Sequence, residues 1–252
     1  MTFARWSWVA CALAIAVGAA DAQPTTRNAS TVLASVQHYY TSTNQLTAVF
    51  RQVVTNTTFG STHSSDGKLW VAKPDKFRFD YMQKMGSTVN VAKTFAFDGT
   101  TLWYVDNANK QIYQQPAQGS PLPAAMSFVT NASALSTQFN VSINTSGKYG
   151  ANGATVLELT PKQPSAQYKQ IFFVVDPADW HVTESIVVDA NGDTNDFKFY
   201  TPDPRAVVAP SLFQVNPTAL PAYKVINNAS SGSAPPATPA SNSNAPGTPP
   251  TP

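Results

Sequence analysis

Between residues 45 and 200 apolar and polar positions alternate with period two, and one stretch in the middle switches to helical spacing. Residues 45–56 alternate through Leu46, Ala48 and Phe50. Residues 67–72 form a short apolar run, and 76–82 set Phe77, Phe79 and Tyr81 against Arg78 and Asp80. Residues 87–97 carry Val89, Val91, Phe95 and Phe97. Asp98-Gly99 is a tight-turn pair, with 101–105 returning from it and 110–114 following. These stretches predict strands. Residues 28–40 differ, because Val32, Leu33, Val36 and Tyr40 recur at helical spacing behind Ser30, a hydroxyl able to cap. The interlude opens on Ser120-Pro121, a helix-start pair, followed by Leu122, Ala125, Met126 and Val129 at helical spacing. A second helical piece is predicted at 133–137. After it come strands at 138–144, 155–160, 168–175, 181–188, 195–200 and 211–215, two of them joined by a hairpin at Asn191-Gly192.

Successive strands with short turns mean an antiparallel sheet, and one helix plus one helical insertion can cover only one of its faces. The expected fold is α+β: an open antiparallel half β-barrel of about 11 strands with a helical lid over its concave face. The strands are rich in aromatic residues, among them Phe50, Trp70, Phe77, Phe79, Trp103, Phe139, Phe173 and Phe197. Most of these suit an ordinary core. The helices are too few to cover that much apolar sheet, so a surplus is left for a ligand cavity or an apolar patch.

The two ends fall outside this pattern. Residues 1–22 read as a cleaved signal peptide, with Arg5, an apolar run from Trp6 and the A-x-A site at Ala20-Asp21-Ala22. Cys11 lies within it, so the mature chain has no thiol or disulfide chemistry, which points to the bacterial periplasm. Residues 228–252 have no charge and no large apolar side chain and read as a disordered Pro/Ser-rich tail. A single domain is expected at 23–227. The net charge of +2, without a basic run, gives no reason to expect nucleic acid.

Candidate catalytic chemistry is sparse. His38, His63 and His181 are the only histidines, and they sit apart. Metalloprotease, nucleophile-elbow, P-loop and C-x-x-C patterns are missing from the sequence. Ser65-Asp66-Gly67-Lys68 matches S-x-x-K, but it falls on a turn entering a strand rather than on one helical turn. No catalytic residue, metal or cofactor is expected.

Read in order, LTAVFRQVV (46–54), GKLWVAKPDKFRFDY (67–81), FDGTTLWYVD (97–106), QIYQQ (111–115), LELTPK (157–162) and LFQVNPTALPAYKVI (212–226) resemble the periplasmic outer-membrane lipoprotein carrier family, LolA. The resemblance runs from about residue 29 to residue 226 and implies acyl chains held between half-barrel and lid. It implies a non-enzymatic, monomeric periplasmic carrier. Such a carrier takes lipid-modified proteins from an inner-membrane ABC transporter and gives them to an outer-membrane lipoprotein receptor. By position Phe77 and Phe79 match cavity-lining aromatics, and Leu33, Met126 and Val129 fall on the lid. Val36, Phe50, Trp70, Trp103 and Phe139 complete the expected lipid-binding set. Lys73 stands where the family has an arginine that latches the lid; lysine keeps the charge but loses the planar fork. A carrier of another lipid or glycolipid, a non-enzymatic envelope sensor and a lipid hydrolase are the alternatives on this pattern.

Overall fold

The computed structural model of the chain describes residues 28–116, 126–151 and 153–227. Helix α1 is Ala29–Ser42, and it buries Val32, Leu33, Val36 and Tyr40, the side chains its spacing selects. Its cap is Asn28 rather than Ser30: the Asn28 side-chain oxygen accepts from the Ser30 backbone N–H at 2.9 Å.

Twelve strands form one open sheet. The first six are β1 (Gln45–Asn56), β2 (Ser61–Ala72), β3 (Lys76–Met85), β4 (Thr88–Phe97), β5 (Thr101–Asp106) and β6 (Gln111–Pro116). After the helical interlude come β7 (Phe139–Ile143), β8 (Thr155–Pro161), β9 (Gln170–Val175), β10 (Val182–Val188), β11 (Thr194–Asp203) and β12 (Lys224–Asn227). Their spatial order is β12-β6-β5-β4-β3-β2-β1-β11-β10-β9-β8-β7. Strand β1 therefore sits at the seam of two meanders, paired with β2 on one side and with β11 on the other.

The sheet is antiparallel except at one edge, where β12 runs parallel to β6. This edge pair replaces the strand expected at 211–215. That segment is instead a 3-10 turn, Pro210–Phe213, whose Phe213 packs with Ala72 and Val208. Pro210 lacks the N–H that a ladder needs.

The interlude consists of α2 (Ser127–Asn131), a 3-10 turn (Ala132–Ala134) and α3 (Leu135–Gln138). The expected start at Ser120-Pro121, with Leu122 and Ala125, lies outside the described residues.

Alternation sorts each strand into two faces. Leu46, Ala48 and Phe50 join Leu69, Val71, Phe77, Phe79, Phe97, Leu157, Phe173, Phe197 and Phe199 in one cluster with α1 and the interlude. That cluster draws on ten strands. Laid flat at about 4.8 Å per strand, ten strands would be more than ~40 Å wide. A flat sheet of that width would leave most of these side chains uncovered by a helix ~10–12 Å across, whereas they are buried in one cluster with α1 and the interlude, as a curled sheet allows. The helical side is thus the concave face.

Gly67 permits the tightest part of this packing, since a Cβ there would come within 2.4 Å of both a Phe50 ring carbon and the Asp80 carbonyl oxygen. Around this point Phe50 meets Phe79, Tyr81 and Phe197 with ring centroids 5.2–5.7 Å apart.

The outer face is apolar as well. Ala96, Trp103, Val105 and Ile112 pack under Val215, Leu220 and Tyr223, while Phe172 packs under Tyr149. The segment after β11 is fastened there by Arg78, which donates to the Leu212 carbonyl at 3.2 Å and pairs with the buried Asp80 at 2.9 Å. Thr94 donates its hydroxyl to the same carboxylate at 2.7 Å. Arg78 and Asp80, which alternate against Phe77 and Phe79 in the sequence, so complete a satisfied network on the far side of the sheet.

Candidate functional site

Eight of the ten residues expected to line a cavity come together. Leu33 and Val36 of α1, Phe50, Phe77, Phe79 and Phe139 of the strands, and Met126 and Val129 of the interlude all belong to the concave-face cluster.

Trp70 and Trp103 do not. Trp70 lies between the inward-facing Leu69 and Val71 and packs on the outer face with the group formed by Ala72, Val208 and Phe213. Trp103 follows the inward-facing Leu102 and packs beneath the segment after β11. A one-residue step along a strand reverses the face, so neither indole reaches the concave side.

The lid has an anchor that helical spacing did not select. Phe128 is 1% exposed, and its ring lies 4.9 Å from Tyr40, 4.8 Å from Phe173 and 6.3 Å from Phe199. It joins α1 to the far half of the sheet. Tyr40 is fixed in turn by its hydroxyl, which accepts the backbone N–H of Val182 at 3.1 Å.

Beneath Phe128 lies an apolar void of about 10 Å³, bordered by Tyr40, Leu46, Ala48, Leu69, Met126 and Phe199 among others. That is room for about one water and not for a hydrocarbon chain. A long apolar ligand can enter this void only if the side chains around it move.

Polar ties resist this movement. Gln37 donates its side-chain amide to the Ala132 and Ser133 carbonyls at 2.9 and 3.2 Å, which clasps α1 to the lid. Lys162 donates to the Ser136 carbonyl at 2.9 Å, and its backbone N–H donates to the Gln138 carbonyl at 2.9 Å. Apolar contact adds to this hold, and it is non-directional and can be replaced by other apolar matter.

Lys73 sits beyond the end of β2, where its ammonium donates to the Tyr40 carbonyl and, at 3.0 Å, to the Thr41 carbonyl. These carbonyls belong to the last turn of α1, which carries no basic residue of its own. The lysine therefore brings positive charge to the negative end of the helix dipole and fills acceptors that end with the helix. Partial burial holds its pKa below the usual lysine value. Exchange of Lys73 to Leu removes both bonds and should loosen α1. The expected result is increased binding of a hydrophobic dye by the lipid-free protein, with the sheet's melting transition retained; an unchanged dye signal would contradict it.

Among the described residues no group of three or more His, Cys, Asp or Glu is placed to hold a metal ion. Ser65 and Lys68 lie on β2 and, three residues apart, face opposite sides of the sheet, so the S-x-x-K pattern does not form a helical nucleophile pair. No helix of the described residues is long and apolar enough to cross a membrane.

Comparison with known proteins adds an independent line. The model of the family described as outer membrane lipoprotein carrier protein LolA matches residues 41–216. An outer-membrane lipoprotein carrier protein of Chromobacterium violaceum is 35% identical over 119 residues, which is 46% of this chain and 50% of that protein. The chain thus spans about half the length of this curated relative. Among solved structures, an uncharacterized conserved protein of Thermus thermophilus aligns with a TM-score of 0.49 and 13% identity, covering 79% of this chain and 98% of that one. A LolA superfamily protein of Nitrosomonas europaea aligns with a TM-score of 0.39 and 9% identity, covering 75% and 98%.

Proposed function

Because the chain belongs to the outer membrane lipoprotein carrier family LolA, whose members carry rather than catalyse, we propose that it shuttles lipid-modified proteins across the periplasm. In this reading it takes their acyl chains from an inner-membrane ABC transporter and delivers them to an outer-membrane lipoprotein receptor. Residues 1–22 direct export and are removed, residues 23–227 work as a monomeric carrier domain, and residues 228–252 are a spacer.

The observation that carries the proposal is the apolar face with α1 and the interlude packed on it. The concave face is apolar across ten strands, and the lid packs its apolar side chains into it. An acyl chain gains about 0.8 kcal/mol per methylene on leaving water. A cup left bare between rounds would expose a costly apolar surface. A lid that occupies it removes that cost, and its displacement subtracts from the net affinity for cargo. Release at the receptor is then within reach without any bond chemistry. Leu33, Val36, Phe50, Phe77, Phe79, Met126, Val129 and Phe139 are the surfaces exchanged between lid and lipid, and Lys73 is the latch that favours the empty closed form.

The test is release from membranes. Inner-membrane vesicles carrying newly made lipoproteins are incubated with the purified chain and the supernatant is examined by mass spectrometry. Acylated proteins should appear in soluble complex with it. A supernatant free of acyl chains, with the chain folded, would overturn the carrier reading.

A further inference from the structure

The concave face changes character along its length, and it does so on several neighbouring strands. On β11 Phe199 and Phe197 give way to Asn195. On β1 Phe50 gives way to Gln52, and on β2 the Gly67 position gives way to Ser65. The register staggers them: Gln52 is opposite Ser65 on β2 and Phe197 on β11, and Asn195 is one inward position further along, opposite Val54. Amide and hydroxyl groups thus succeed phenyl groups along a slanted front on β11, β1 and β2.

At the centre of this front Gln52 is 7% exposed, and its side-chain amide donates to the Asn195 carbonyl oxygen at 2.9 Å. That bond uses one of the two Gln52 amide hydrogens and leaves both hydrogens of the Asn195 amide without a partner among the described residues. Asn195 is only half-buried, so those hydrogens are open to solvent or to a ligand. Holding the strands together does not require the amide pair, since β1 and β11 are already laddered from Val49 to Thr55.

The scale of the apolar part fits a particular kind of occupant. From Gln52 to Leu46 is six residues along β1, about 20 Å of strand. The hydrocarbon depth of one membrane leaflet is ~15 Å, half of a core of ~30 Å. We propose that Asn195, Gln52 and Ser65 form a subsite for the carbonyl-bearing linkage of a long-chain acyl amphiphile. The chains then lie along Phe50, Phe197 and Phe199 toward the end where Lys73 meets α1. This rests on the carrier reading and adds to it a direction of loading and a preference for ester or amide linkages over plain hydrocarbon.

The experiment compares two probes of equal chain length, a long-chain monoacylglycerol ester and the matching alkylglycerol ether, which lacks the carbonyl. Each displaces a bound hydrophobic dye from the intact chain. The wild type should favour the ester by about tenfold, the effect of roughly one hydrogen bond. Gln52→Leu and Asn195→Val should each bring the two probes level while leaving ether binding in place. Equal binding of ester and ether by the wild type, or an ester preference that survives both substitutions, overturns the subsite and leaves the carrier reading standing. A purely structural role would weaken both probes alike and also overturns it. Failure of both probes to displace the dye from the wild type defeats the carrier reading and the subsite together.

Discussion

Replacing Phe128 by Ala should leave the sheet folded and free the lid. The ring touches α1 through Tyr40 and the far half of the sheet through Phe173 and Phe199, and it is fully buried. Truncations of this kind cost about 3–5 kcal/mol. Here the loss falls on a segment that the sheet ladder does not hold, so it lowers the free energy of local opening more than that of global unfolding. At about 1.4 kcal/mol per factor of ten, the open population rises by roughly two to three and a half orders of magnitude. Hydrogen exchange at residues 127–138 reads this directly, with β1–β3 as the internal reference. Hydrophobic dye binding without lipid should rise in step. Exchange rates unchanged in the lid would show that Phe128 does not control it.

Phe77→Glu should act differently, by damaging the whole fold. Phe77 has no exposed surface, and its ring lies 5.7–5.8 Å from those of Phe79, Phe95 and Phe97. Loss of the ring alone costs about 3–5 kcal/mol, and an unpaired carboxyl among phenyl groups adds to it. At about 2–4 °C per kcal/mol for a domain of this size, the melting temperature should fall by about 10 °C or more. Phe77→Leu keeps an apolar wall and should keep both the fold and lipoprotein release. A Glu variant melting with the wild type would mean that the position 77 side chain leaves the cup freely.

Much of this architecture was legible in the chain because alternation is a direct product of strand geometry. The strand stretches before residue 201, the α1 face and the helical break all follow from apolar spacing. The choice of face was not legible where both faces are apolar. Leu69, Trp70 and Val71 are consecutive hydrophobes, as are Leu102 and Trp103, and no polar neighbour marks which side is inner. The outer cover that claims the two tryptophans comes from residues 205–223, more than 100 positions away, and local pattern carries no trace of it.

The same limit explains the segment 211–215. Leu212, Phe213 and Val215 look like a strand until Pro210 and the apolar outer face draw Phe213 onto Ala72 and Val208. Phe128 escaped notice because its helix is only five residues long, too short for periodicity to single out one side. Its burial is set by Tyr40 and Phe173, which the fold brings to it. Gln52 and Asn195 read in sequence as ordinary polar positions. Their meaning comes from register, which places them on the same side as Phe50 and Phe197.

The order of strands has a consequence for movement. Strands β6 and β7 lie toward opposite margins of the sheet. α3 ends at Gln138 and β7 begins at Phe139, so that end of the lid is moored to one bank of the trough. In the proposed carrier, cargo would lift the Phe128 side while the β7 side stays in place.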